Sequence, residues 1–161
     1  MSKNEMRRQD RRITDNSVID KIILSCKSIR LGFVDDGEAY IVPMSFGFTN
    51  KDGVRTFYFH SASEGRKIRL IKEKGFASFQ MDCDDEIYGD GSACTYTTSF
   101  KSVMGKGKVS ILETREEKHI ALCEMMRHYT GRSDWTFDEK YFDKMCVFTL
   151  EAEEISCKGH E

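Results

Sequence analysis

The 161-residue sequence holds a single proline, no apolar run long enough to cross a bilayer, and no excess of either charge. Each absence excludes something. A helical span needs about 20 mostly apolar residues, and the basic N-terminus is not followed by the apolar stretch of a secretory signal. A cytoplasmic protein is the expectation. With 25 Lys and Arg against 27 Asp and Glu, the net charge of -2 argues against a surface built to bind nucleic acid, which calls for a strong basic excess or a long basic face. The six cysteines, at 26, 83, 94, 123, 146 and 157, show no CxxC and no paired spacing of a zinc site. They read as buried free thiols in a reducing compartment, with no metal. Neither GxxxxGK[ST] nor GxGxxG occurs, and pieces such as GDGS and MGKG are too common in hairpins to count as nucleotide signals.

What is present suffices for one core, so a single domain over 1–161 is expected. Residues 1–14 carry Arg7, Arg8, Arg11 and Arg12 without apolar periodicity and read as a solvated basic arm. After Thr14 or Asp15 as cap, Ile19, Ile22, Ile23 and Cys26 recur at helical spacing, predicting a short lid or plug helix. The period then changes to two. IRLGFV, AYIVPMSFGFT and VRTFYFHSA, separated by DDGE and NKDG turns, predict three antiparallel strands in a meander. A helix follows from about Glu64 to Lys74, closed by Gly75, and FASFQMDCD returns to strand. Residues 94–112 read as one or two further strands. Thr114 and Glu117 form a capping box for a second long helix ending at Gly131, with Ile120, Cys123 and Met126 on its apolar face. A helical turn near Tyr141 leads to a last strand, CVFTLEAEEIS. Five to seven strands in meander order with two or three helices predict a mainly β fold, a small antiparallel barrel with helices outside it.

The stretch FHSASEGRK (Phe59 to Lys67) places Arg66 and Lys67 in the first turn of a helix, where partial positive charge already accumulates on unpaired amides. Two cations there raise the local potential unless an anion cancels it. Ser61 and Ser63 supply hydroxyls and Gly65 clears the approach, so a bound phosphate would account for the arrangement. Pairing of Arg66 and Lys67 with neighbouring acids would account for it equally well. Pro43, inside an apparent strand, marks an edge, a bulge or a parting from the neighbouring strand, with the Met44 and Ser45 amides free to face something else. If that strand pairs with the one ending at His60, a planar ligand along Pro43 to Phe46 would have its phosphate at Arg66 and Lys67.

VPMSFGF, then YFHSASEGRK, then FKSVMGKG and a final EISCKG together resemble the pyridoxamine 5'-phosphate oxidase-like FMN-binding split barrels. The branch most similar is the nitroimidazole-resistance (Nim) nitroreductases, whose basic arm resembles Met6 to Arg11. The resemblance implies a six-stranded antiparallel split β-barrel and a homodimer with FMN at the subunit interface. It implies that Val42, Pro43, Met44, Ser45 and Phe46 line the isoalloxazine, that Ser61, Gly65, Arg66 and Lys67 hold the phosphate, and that His60 sits near the reactive face as a proton-handling residue. Ser102 and Val103 would approach from a neighbouring strand or the partner chain. Phe100 departs from the family, which has tyrosine there. His119 and His128 read as surface or core residues and His160 as part of a mobile tail.

The function implied is FMN-dependent reduction of a small organic acceptor such as a nitroaromatic. A non-catalytic flavin carrier or redox sensor, or a haem-binding split barrel using a histidine, stands as the alternative. Pyridoxamine 5'-phosphate oxidase proper fits less well, because EEISCKGHE replaces an Arg- and Pro-rich C-terminal segment.

Overall fold

A computed structural model describes residues 6–160. In chain order these form a 3-10 turn (Gln9–Arg11), β1 (Arg12–Ile13), α1 (Asn16–Ser25), β2 (Ile29–Asp35), β3 (Glu38–Met44), β4 (Gly47–Lys51) and β5 (Val54–Ala62). There follow α2 (Arg66–Lys74), β6 (Phe76–Tyr88), β7 (Thr97–Leu112), α3 (Arg115–Thr130), α4 (Glu139–Phe142) and β8 (Met145–His160). The fold is the mainly antiparallel split barrel with flanking helices that the sequence predicts, built from eight strands where six were expected.

Local chemistry sets the boundaries. Asp36-Gly37 and Asp52-Gly53 all have positive φ, the condition for a two-residue turn whose twist matches its strands. The Asp15 carboxylate caps α1 by accepting from the Ser17 and Val18 amides, and Thr114 and Glu117 form the predicted capping box of α3. Gly75 and Gly131 end α2 and α3 in the left-handed conformation, as expected.

The meander is where expectation and structure part. The strand order is β3-β2-β6-β7-β8-β5-β4, with β1 added on β8. AYIVPMSFGFT is therefore not one strand: it breaks into β3, which pairs only with β2, and β4, which pairs only with β5. These two are the outer strands of the sheet, yet only Ser45 and Phe46 separate them in sequence. A link that short spans about 10 Å at most, so the sheet must curl until its edges meet there. The barrel is closed by covalent chain and split in its hydrogen bonding. Pro43 sits on edge strand β3 opposite Arg30 of β2, where its missing N–H costs no ladder bond on the open side.

Alternation along the strands fills the barrel. Phe57 and Phe59 of β5, Phe79 and Met81 of β6, Val103 of β7 and Phe148 and Leu150 of β8 are all within its core, joined by Ile19, Ile22 and Ile23 of α1 and Ile68, Leu70 and Ile71 of α2. On the other face of β8, Val147 meets Ala121, Leu122 and Met125 of α3 and Phe142 of α4 in a second cluster. The apolar face of α3 is thus shifted from the predicted one: Ile120 is exposed, and the buried stripe runs through Ala121, Leu122, Cys123 and Met125. β7 is one continuous strand. Gly105 and Gly107 are not turn residues; a Cβ at either would strike the facing β8 backbone, and at Gly105 also the Phe79 ring. Four cysteines are buried as expected, whereas Cys83 is half-buried and Cys94 exposed.

Two chain ends are more ordered than their composition suggests. Arg12 and Ile13 pair with Lys158 and Cys157, and the Arg11 guanidinium lies over the Phe100 ring, so this part of the basic arm is docked on β8. β8 reaches His160, whose register partner is Phe100. Residues 1–5 of the arm lie outside the described residues.

Helix α3 lies across the seam. A Cβ on Gly47, the first residue of β4, would come within 2.5 Å of the Met125 amide nitrogen and 2.6 Å of the Glu124 carbonyl carbon. Backbone cannot yield there without moving the helix, so Gly47→Ala is expected to cost about 1–3 kcal/mol as an overpacking change. At roughly 2–4 °C per kcal/mol for a chain of this length, a thermal melt unchanged within error would overturn this account of the seam.

Candidate functional site at the seam

The chain delivers several groups to one place because β3 ends, β5 ends and α2 begins beside the seam. Helix α2 starts at Arg66, two residues later than expected, so Arg66 and Lys67 are its first two residues. Its N-cap is Gly65, with φ of 120° and no atom within 4 Å of where a Cβ would stand. No side chain caps the helix and its first turn holds no acid. Its free amides therefore remain available to an anion.

The two cations have different surroundings. Arg66 donates through Nε to Asp35 Oδ2 at 2.6 Å and lies 4.5 Å from the centre of the Tyr40 ring. Asp35, at the end of β2, also accepts from Arg69 Nη2 at 2.8 and 2.9 Å. Arg69 and then Arg66 hold its carboxyl below the usual carboxylate range. This is the acid pairing that the sequence left open, and it engages one nitrogen of Arg66. Lys67 has no such partner: among the described residues its Nζ makes no ion pair, and its hydrogen-bonding neighbour is Met44 Sδ at 3.2 Å. Partial burial pushes its pKa down, because the ammonium has lost water without gaining a carboxylate.

His60, at the end of β5, belongs to the same group. Although His60 is exposed, the protein atoms around it, and secondly the charge of Lys67, push its pKa down, which favours the neutral imidazole that can accept a proton. With Ser45 it lines a cleft of about 480 Å³ together with Leu122, Met125, Met126 and Tyr129 of α3, the 136–138 segment, Tyr141 and Met145.

The remaining predicted residues divide. Val42 packs against the barrel core, Pro43 is exposed, and Met44 is buried beneath Lys67. The Phe46 ring is wholly buried, and its amide donates to Tyr129 Oη at 3.1 Å. Ser45 is exposed in the link between β3 and β4. The Ser61 hydroxyl donates to the Ala62 carbonyl at 2.9 Å. Val103 faces the barrel core, and Ser102 is buried with its Oγ unpartnered among the described residues. Strand β7 is separated from β3 by β2 and β6, so within this chain neither residue joins the cleft.

Sequence reasoning missed Asp35, Tyr40 and Tyr129. Tyr129 ties α3 to the seam, donating to the Lys27 carbonyl at 2.8 Å while accepting from Phe46; His128 beside it bonds the Cys26 carbonyl at 2.9 Å. A signal existed: Leu122, Met125, Met126 and Tyr129 follow the i, i+3, i+4, i+7 spacing of one helix face. Among the described residues, no group of three or more His, Cys, Asp or Glu could hold a metal ion, and no helix is long and apolar enough to cross a membrane.

An antiparallel barrel split along one seam, with an uncapped helix start and a cleft beside that seam, places the chain in the class of small antiparallel split barrels. The chain belongs to the pyridoxamine 5'-phosphate oxidase family, which it matches over residues 15–158. It is similar to a candidate 5-nitroimidazole antibiotic resistance protein from Bacteroides thetaiotaomicron, with 29% identity over 93% of this chain and 90% of that one, and a TM-score of 0.79. A flavocytochrome from Azotobacter vinelandii (19% identity, 98% and 72% covered, TM-score 0.79) and an FAD and haem binding protein from Mycobacterium smegmatis (16% identity, 94% and 74% covered, TM-score 0.79) share the fold. No curated protein sequence matches the chain.

Proposed function

We propose that the chain is a cytoplasmic FMN-dependent oxidoreductase that reduces a small organic acceptor, of which nitroaromatics are one class, and that it works as a homodimer with the flavin at the subunit interface. The observation that carries this reading is Lys67, a half-buried ammonium that makes no ion pair among the described residues, in the first turn of an uncapped helix. A phosphate dianion satisfies both the cation and the free amides. The names of the similar proteins, which include nitroimidazole resistance and FAD or haem binding, support a redox cofactor.

The residues present fit such a group. Lys67, the α2 amides and Gly65 would hold its phosphate, with the free nitrogens of Arg66 adding charge from beside Asp35. Val42, Pro43, Met44 and Ser45 would flank the ring. FMN, when bound, supplies the electron chemistry. The protein would supply orientation, and His60, its pKa pushed down toward the neutral form, would accept or relay a proton beside the ring. A partner surface is supported by large apolar side chains left in solvent, among them Ile41 at 65% and Ile87 at 77% exposure.

One chromatographic run with light-scattering and absorbance detection tests cofactor and assembly together. The expected peak has twice the 18.6 kDa chain mass and a flavin spectrum, with FMN released on denaturation. A Soret band would replace this reading by the haem one, and a colourless protein unable to take up added FMN would end it. A flavin-loaded protein with no acceptor-dependent oxidation of NADH or NADPH would be the carrier or sensor.

A further inference from the structure

We propose that the cleft between α3 and residues 136–145, which His60 and Ser45 also line, binds a flat, uncharged ligand of one or two aromatic rings. Its use as the acceptor pocket rests on the flavin reading above; its capacity to bind such a ligand does not.

The walls argue for the ligand's shape and charge. Leu122, Met125, Met126 and Tyr129 present one face of α3, and Phe137, Tyr141 and Met145 stand opposite. At about 480 Å³ the cleft lies within the usual range of small-molecule sites, roughly 300–1,000 Å³. Every polar group on the lining is committed or neutral. Asp138 caps α4 through the Lys140 amide at 3.1 Å and pairs with Lys140 Nζ at 2.7 Å. Tyr129 Oη is taken by Phe46 and Lys27. Desolvation, and secondly the charge of Lys67, push the His60 pKa down and so favour its neutral form. A charged ligand would lose its water and meet on the lining no lysine or arginine and one carboxylate, Asp138, that Lys140 already pairs. An uncharged ring loses little and gains contact with three aromatic side chains, Tyr129, Phe137 and Tyr141, and three methionines, whose flexible thioethers adapt to rings of differing outline.

Phe137 is therefore a wall of the cleft and not merely packing of the connection; its ring also meets His119 and Phe142 edge to face. Trp135 remains a packing residue, with its indole N–H on the Arg132 carbonyl at 3.0 Å and the Arg132 guanidinium over its ring.

The test uses the full chain with carbon-13 methyl-labelled methionine, titrated with naphthol and with its anionic counterpart naphthoate, with and without added FMN. Naphthol is expected to move the Met125, Met126 and Met145 methyl signals to saturation while leaving that of Met81, sealed in the barrel core, in place. Naphthoate is expected to bind at least about tenfold more weakly, the uncompensated desolvation of its charge being worth more than 1.4 kcal/mol. Phe137→Ala should weaken naphthol about tenfold. Tyr141→Ala, at a more exposed wall, should weaken it with the melting temperature unchanged and so covers the case of a Phe137 variant that does not fold. Equal affinity for the two probes, or no movement of the three methyl groups, overturns the proposal. Naphthol binding without any FMN binding would sustain the cleft and sink the flavin reading; FMN binding without naphthol binding would do the reverse.

Discussion

Replacing Arg66 and Lys67 together by alanine is expected to lower FMN affinity by at least a hundredfold, so that the double variant purifies colourless. A charge-assisted hydrogen bond contributes about 1.5–3 kcal/mol, and two of them lost together exceed the roughly 2.7 kcal/mol that a factor of one hundred requires. The structure divides the loss unequally. Among the described residues Lys67 makes no ion pair, only a hydrogen bond to Met44 Sδ, whereas Asp35 already engages Arg66 Nε at 2.6 Å. Lys67→Ala alone should therefore weaken FMN about tenfold to a hundredfold, and Arg66→Ala by less. Fluorescence titration of the apoprotein measures all three. An Arg66 effect larger than that of Lys67 would mean that Asp35 releases Arg66 on binding, and undiminished affinity in the double variant would remove the phosphate from this helix.

The second large effect concerns His60. His60→Ala is expected to keep FMN, because the groups around its phosphate remain, while acceptor-dependent turnover falls by ~10² to 10⁴, the usual range for loss of a positioned proton-transfer group. The pH profile gives a sharper sign. Burial and Lys67 lower the His60 pKa, so the neutral, proton-accepting form prevails above that lowered value and is lost as pH falls through it. Turnover of the unmodified protein should show an acid limb centred below the ordinary histidine range of about 6.5, and the limb should vanish in the variant. Lys67→Ala removes one of the two lowering causes and should move the limb upward. Flavin occupancy and melting temperature on the same preparations separate chemistry from structure. Full turnover at full occupancy in His60→Ala would leave solvent as the proton source.

Arg66, Lys67 and Pro43 show where sequence reading succeeds and where it stops. The anomaly of Arg66 and Lys67 was visible because helix starts disfavour cations regardless of context, and the Gly65 and Gly75 boundaries rest on equally local rules. That Arg66 faces Asp35 and Lys67 faces Met44 was not visible, since those partners lie 31 and 23 residues away. Likewise, the lone Pro43 marked an irregular strand, but its neighbours were misassigned. Hairpin logic pairs each strand with the next, and here one strand snaps at Ser45 into two that end on opposite edges of the sheet.

By itself the sequence determined most of the helices and strands with their caps and turns, because each depends on interactions within a few positions along the chain; it also marked FHSASEGRK as anomalous, and the split-barrel class was legible through the resemblance of its motifs to a known family. The tertiary structure alone decided the strand order, the seam closed by two residues, the docking of the basic arm, the face that α3 turns inward and the cleft it forms with residues 136–145. These depend on how the sheet twists and curls to bury both faces of its strands at once, a condition on the whole chain that no local spacing records.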